Sequence, residues 1–298
     1  MKKSGPIQQA LKANVEGVFY GLPETVYRKA PGLSQSMIKP LAISPAHFSV
    51  ALANPVLPTT PLIFGRIAHH ALLTPQRPGF WAVRPAGLDL RSPEGKAWKR
   101  KNLGKVWVDW ETWKNILCAI LALENHPVVA EALKHGKREV SWFKFYKNGK
   151  RKVRRKGRID LVTPGAALCD FKFVEDARAH AFAKQLYDLK WYLQAGYYLD
   201  GYNESSGAKN PKTQFVFFAV EKTPPFPVNV YTLDALALTR GRTEYKDLLN
   251  LYLDCRAADE WPVSQPGESA AYSTKIKTIS LPKWVNKGNA TKGDFIIQ

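Results

Sequence analysis

Long apolar runs are missing from this 298-residue chain. None approaches the about 18 residues that a membrane-spanning helix needs. The Met-Lys-Lys start is not followed by the apolar stretch of a secretory signal, so a cytoplasmic protein with no membrane partner is expected. Cysteine is scarce as well. Cys118, Cys169 and Cys255 are odd in number and far apart, which argues against both a disulfide framework and a zinc site. No Gly-x-x-x-x-Gly-Lys-Ser/Thr sequence occurs, so no nucleotide-driven motor is built in. Repeats and low-complexity tracts are also lacking. With 45% hydrophobic residues the chain can bury a substantial core, and a single decorated α/β domain is expected.

Acid is the other shortage. Forty-four Lys and Arg stand against 25 Asp and Glu, a formal charge of +19, which is the footprint of a protein that neutralises phosphates. The cations are clustered. Lys147, Lys150, Arg151, Lys152, Arg154, Arg155, Lys156 and Arg158 fall within twelve positions that hold no acid, and lead straight to Asp160. They are expected to draw a polyanion to that residue. A second cluster of Arg91, Lys96, Lys99, Arg100, Lys101 and Lys105 is interleaved with Trp98 and Trp107, which suits an element that tracks a nucleic-acid backbone or wedges into it.

Around Asp160 the local pattern is strand-like. Residues 139–147 alternate bulky apolar with polar side chains, and Asn148-Gly149 is a strong hairpin signal. The chain should return from about Lys150 to Val162, turn at Thr163-Pro164-Gly165, and run out again through Ala166–Phe173. Side chains at i and i+2 share a strand face, so Arg158 projects with Asp160, and Asp170 with Lys172. Two carboxylates and an ammonium can then converge. Such an oxygen-rich pair suits Mg²⁺ or Mn²⁺ in phosphodiester cleavage, with Lys172 orienting or deprotonating the attacking water. The same spacing also fits a solvated acid–lysine pair on an exposed strand face. Helices are expected over Leu62–Leu73, with Gly65 and His69 four apart, and over His180–Tyr202, with Gln194 and Tyr198 on one face. A helical pair broken at Pro127 is expected over Asp109–Lys134, and a very apolar strand over Gln214–Val220.

These segments, in this order, resemble the PD-(D/E)xK nuclease superfamily, and within it the branch of the RecE exonuclease, or exonuclease VIII, of phage and prophage recombination. The resemblance runs from about Leu33 to Trp261. It rests on Leu33-Ser34-Gln35-Ser36 with Ser44-Pro45-Ala46-His47-Phe48, on Gly65-Arg66-Ile67-Ala68-His69, on Glu139, and on Gly157-Arg158-Ile159-Asp160, Asp170-Phe171-Lys172 and Gln194-Ala195-Gly196-Tyr197-Tyr198. It implies a restriction-endonuclease-like α/β core, a central mixed sheet flanked by helices. It also implies that Asp160, Asp170 and the carbonyl of Phe171 are metal ligands, that Lys172 is the catalytic lysine, that His69 joins the metal site or contacts the phosphate, and that Glu139 lies near a second metal. Gln194 and Tyr198 would contact the DNA backbone and support the active site. Arg158, Arg155, Arg66 and Ser36 are expected at the DNA as well.

The activity implied is ATP-independent, Mg²⁺-dependent resection of linear duplex DNA from its 5′ ends, leaving 3′ single strands. A ring-shaped homo-oligomer and a RecT-like single-strand annealing partner are implied with it. An endonuclease on the same fold, or a non-catalytic DNA-binding or assembly module, are the alternatives. Phe173 stands where the family usually has threonine, and His70 beside His69 leaves two candidate histidines, with the Gly65 spacing favouring His69. The three cysteines do not match the four-cysteine cluster of RecB-like relatives. Expected boundaries are an N-terminal arm at 1–30, the nuclease domain at 31–263 and a basic tail at 264–298.

Overall fold

Alternating apolar and polar residues before Asn148-Gly149, and a mostly basic return strand after it, build the hairpin at the centre of the fold. The computed structural model describes residues 5–54 and 59–263. In chain order the elements are α1 (Pro6–Leu11), β1 (Gly17–Phe19), α2 (Glu24–Lys29), α3 (Gln35–Ile38), a 3-10 turn (Lys39–Ala42), α4 (Pro45–Ala53) and α5 (Thr60–Leu73). Then come β2 (Trp81–Val83), α6 (Pro93–Lys101), β3 (Val106–Val108), α7 (Trp110–Asn125), α8 (Pro127–His135), β4 (Lys137–Asn148), β5 (Arg151–Val162) and β6 (Ala167–Val174). The chain closes with α9 (Ala179–Asp188), α10 (Trp191–Ser206), β7 (Gln214–Glu221), β8 (Val228–Thr232) and α11 (Ala235–Ala258). A six-stranded sheet runs β1-β4-β5-β6-β7-β8, and β2 and β3 form a small parallel pair apart from it.

The sheet is mixed. β4, β5 and β6 form the expected antiparallel meander, whereas β6 and β7 run parallel, so the chain must cross over a face of the sheet between them. α9 and α10 make that crossover. One face of the sheet packs on α10 and α11 around Trp142, Tyr197, Phe217 and Tyr245, and the other on α5, α7 and α8 around Leu72, Leu123, Phe171 and Phe218. α7 and α8, apolar in sum, are bent by 88° to each other, and no single helix among the described residues is long and apolar enough to cross a membrane.

Three expectations are corrected. The helix expected over His180–Tyr202 is two helices, because Lys190 adopts a left-handed conformation (φ 53°) and ends the first turn-stack at Leu189. Residues 5–30 are not a detached arm. β1 adds to the sheet beside β4, and Ala10, Phe19, Leu22 and Ala30 make a small core with Phe143. The third correction explains the second. Arg154, Arg155 and Lys156, expected to attract a polyanion, are buried. Arg154 donates to the carbonyls of Ala10, Val15 and Pro31, and Lys156 to those of Tyr27, Arg28 and Ala30, so these cations staple the N-terminal segment to β5. Burial pushes Arg154 down to about 10 and Lys156 down to about 8. The cations left for solvent are those near the hairpin tip, Lys147, Lys150 and Lys152. The basic tail at 264–298 lies outside the described residues.

Candidate active site

The hairpin turn fixes which residues face one another. Asn148 pairs with Arg151, and the same register sets Arg138 opposite Leu161 and Val140 opposite Ile159. Between those pairs stand Glu139 and Asp160, and Glu139 has left-handed backbone (φ 55°). On the other side of β5, Leu161 pairs with Cys169 and Val162 with Leu168. One step on, where that pairing has ended, Asp160 meets Asp170. Three acids therefore fall in one row across β4, β5 and β6, at the place where the ladder is broken on both sides of Asp160. The parting strands leave backbone donors to be satisfied by side chains. Asp160 Oδ2 accepts from the Phe171 N–H at 2.9 Å.

Two short networks meet here. In the first, His69 on α5 has Nδ1 2.7 Å from the Gly65 carbonyl and Nε2 3.1 Å from Asp160 Oδ2. The carbonyl can only accept, so Nδ1 carries a hydrogen and Nε2 is the atom turned to the acid. His70 also lines the cavity but has Nε2 3.1 Å from the Arg77 carbonyl, so of the two only His69 meets an acid of the row. In the second network, Lys172 Nζ lies 2.5 Å from Asp170 Oδ2 and donates to Gln194 Oε1 at 3.1 Å, while Gln194 Nε2 donates to Asp170 Oδ1 at 2.5 Å. Gln194 is buried, and its amide is committed to Asp170 and Lys172. Trp191 lies under the Lys172 ammonium, 4.9 Å from Nζ to the ring centre.

The departure at Phe173 has a physical role. Its ring meets His69 edge-on at 5.4 Å, so an apolar contact steadies the imidazole on this face.

The electrostatics are those of charges held close in a dry place. Burial and the neighbouring Asp160 hold Asp170 above the usual carboxylate range, against the pull of Lys172. Burial alone would raise Asp160 too, but His69, the Phe171 N–H and Lys172 bring it below its usual value. Burial alone would lower His69, yet the Asp160 carboxylate raises it to about 9. A raised imidazole contributes stability that is fully present below its ordinary value of 6.5 and is lost as pH rises through about 9. In chelator, the native chain should therefore lose thermal stability from about pH 6.5 to 9 more steeply than His69→Gln. Parallel pH curves for the two would contradict the pairing.

A cavity of about 990 Å³ opens over these groups, reached by Asp160, His69, Lys172, Glu139 and Arg158. Glu139 pairs with Arg158, and burial raises its carboxyl above the ordinary range despite that partner. Arg66, Ser36 and Tyr198 line the same cavity, with Ser36 exposed and 3.0 Å from Ser34 Oγ. Arg155 does not belong to it. Its side chain is 1% exposed, paired with Glu204 and ringed by Trp142, Tyr146, Tyr197 and Tyr245 at 5.6–5.8 Å. It is a core cation, not a DNA contact. Lys39 was not legible in the sequence: it lines the cavity, donates to the Leu189 carbonyl at 2.5 Å, and burial pushes it down to about 8. No strand or helix pattern marks that position.

Among the described residues no three His, Cys, Asp or Glu side chains are already gathered at metal-binding distance. The donor set nevertheless fits a hard divalent cation: two carboxylates side by side, an imidazole, and a buried Asp170 Oδ2 that forms no well-directed hydrogen bond. A cation there would relieve the repulsion that raises Asp170. Asp160, Asp170 and His69 are the groups placed to hold it.

Comparison with known proteins agrees with this geometry. Residues 34–275 match the profile of a family described as a PDDEXK-like domain of unknown function (DUF3799). A candidate exonuclease from Eubacterium rectale shares the fold, with a TM-score of 0.51 at 12% identity over 88% of this chain and 94% of that one. The structure of SSO0001 aligns at a TM-score of 0.29 and 18% identity over 46% of this chain and 60% of that one, too little to carry an argument. No curated protein matches the sequence.

Proposed function

The chain belongs to the family of PDDEXK-like domains of unknown function (DUF3799), and from that membership we propose that it is a divalent-metal-dependent deoxyribonuclease that digests linear duplex DNA from its ends. The observation that carries the reading is that Asp160, Lys172 and His69 line one cavity, with Asp170 buried directly beneath it and fastened to Lys172. A solvated pair on a strand face would not be buried, nor fastened to a helix glutamine.

Each residue then has a task. Asp160, Asp170 and His69 would hold Mg²⁺ or Mn²⁺, which would polarise the phosphate and lower the pKa of a water. Lys172, positioned by Asp170, Gln194 and the Trp191 face, stands where it can orient the attacking water and offset charge developing on the phosphate. His69 Nε2 is kept facing the acids because Nδ1 is committed to Gly65. Arg158 and Arg66 supply cationic walls to the cavity. Digestion from 5′ ends without ATP, leaving 3′ strands for an annealing protein, and a ring of subunits enclosing the DNA, complete the proposal.

Lys172→Ala should cut at least about 100-fold more slowly, in the range for loss of one stabilising group, and still bind duplex DNA with native affinity. Measured by filter binding in chelator beside single-turnover cleavage, an equal loss of both would make the lysine a substrate-holding residue. A covalently closed circle tests the mode. It should survive while linear duplex is lost from its 5′ label; cleavage of the circle would make the chain an endonuclease.

A further inference from the structure

Between α5 and α7 the chain leaves the core and builds a small lobe, residues 74–108, from β2, α6 and β3. His70 fastens it down, meeting Phe80 and Trp81 edge-on at 5.9 and 5.2 Å. Phe80 also lines the catalytic cavity, with Arg66 4.7 Å over its ring, so the lobe stands at the rim of the site. From Arg91 to Trp107 it carries six cations against one acid, Glu94. None of the six joins an ion pair among the described residues, and all but Lys99 are exposed.

The apolar part of this surface is rigid and faces outward. Trp98 and Trp107 pack edge-to-face at 5.3 Å. The Trp107 indole N–H donates to the Asn102 carbonyl at 3.0 Å, and the Asn102 amide to the Trp98 carbonyl at 2.9 Å, so the rings are locked in place. Trp107 is still 40% exposed, with Leu103 at 74% and Trp110 at 51%. A merely solvated face needs cations but not indoles fixed half out of the core. Phosphate-neutralising cations around a locked indole are the chemistry of a stacking platform for unpaired bases, whose faces a duplex hides.

We propose that this lobe binds single-stranded DNA and holds the strand that end digestion leaves unpaired. The assignment rests on the nuclease reading only for where that strand comes from. The lobe would keep the digested end at the cavity without contributing to the chemistry.

The test measures binding of a fluorescent oligo-dT and of a blunt duplex to the full chain in chelator. It compares the native protein with the exposed-site triple variant Lys96→Glu, Arg100→Glu, Lys101→Glu, and separately with Trp107→Ala, each checked by thermal melting. The triple variant should bind oligo-dT at least tenfold more weakly, with a salt slope shallower by about 2, since each phosphate contact on a single strand contributes about 0.7. Trp107→Ala should lose roughly five- to tenfold at unchanged salt slope. Native oligo-dT affinity in a folded triple variant overturns the proposal, as does a loss confined to the duplex, which would make the lobe a duplex tracker. Cleavage by the native chain, measured beside its oligo-dT binding, separates the two readings. A native chain that cuts no DNA but whose oligo-dT binding the triple variant removes would refute the nuclease and keep the lobe.

Discussion

Asp170→Ala is expected to lower cleavage of linear duplex DNA by at least about 10³-fold, about 4 kcal/mol of transition-state stabilisation, measured under single-turnover conditions. The size follows from what this carboxylate touches. It is the buried member of the acid row that Asp160 and Glu139 share, it fixes the Lys172 ammonium, and it is the acceptor that holds the Gln194 amide. Removing it takes away a cation-holding group and leaves Lys172 held only by Gln194 and the Trp191 face. Stability should respond in the opposite sense. Burial and Asp160 both work against the charged form of Asp170, so in chelator the variant should melt at or above the native temperature. Retention of more than a tenth of the activity would place the chemistry elsewhere in the chain.

Trp142→Ala carries the largest expected cost to folding, about 4 kcal/mol, or a fall in melting temperature of roughly 10 °C for a domain of this size. The indole is fully buried between β4 and α10. It packs on Tyr197 at 5.4 Å and on Tyr198 at 6.3 Å. Gly157 below and Gly201 above lie so close that a Cβ at either position would run into the ring. Neighbours held that tightly on both sides cannot collapse into the void. The same wedge sets the height of α10 over the sheet, and α10 carries Gln194. Cleavage should therefore fall along with stability, and should recover in part with Trp142→Phe, while Arg155→Met, removing a core cation, should change stability without selectively weakening DNA binding by the folded protein. A melting temperature within about 2 °C of native for Trp142→Ala would show that the cavity closes after all.

Much of this site was legible because strand periodicity and turn chemistry are local. The Asn148-Gly149 turn sets a register that alone brings Glu139 opposite Asp160, and i, i+2 spacing puts Asp170 with Lys172. The Gly65–His69 spacing likewise chose the histidine, since one helical turn back is where a carbonyl can take its Nδ1 hydrogen. What sequence could not give was burial. Eight cations in a row read as a surface, yet Arg154, Arg155 and Lys156 point inward, because the N-terminal segment and Glu204 are folded over them from 49 to 144 residues away in the chain. The break at Lys190 was hidden for a similar reason: lysine is an ordinary helix residue, and its left-handed backbone is sustained by tertiary partners, Glu244 among them. Lys39 entered the cavity by the same long-range route.

Acids, lysine and histidine arranged in this way should cleave phosphodiesters only with a divalent ion. The measurement is release of label from a 5′-labelled linear duplex by the native chain, with Mg²⁺, with Mn²⁺ and with chelator, all without ATP. Progressive release with either ion and none in chelator is the predicted result, and no release under any of the three conditions, from a folded protein that still binds the duplex, would contradict it.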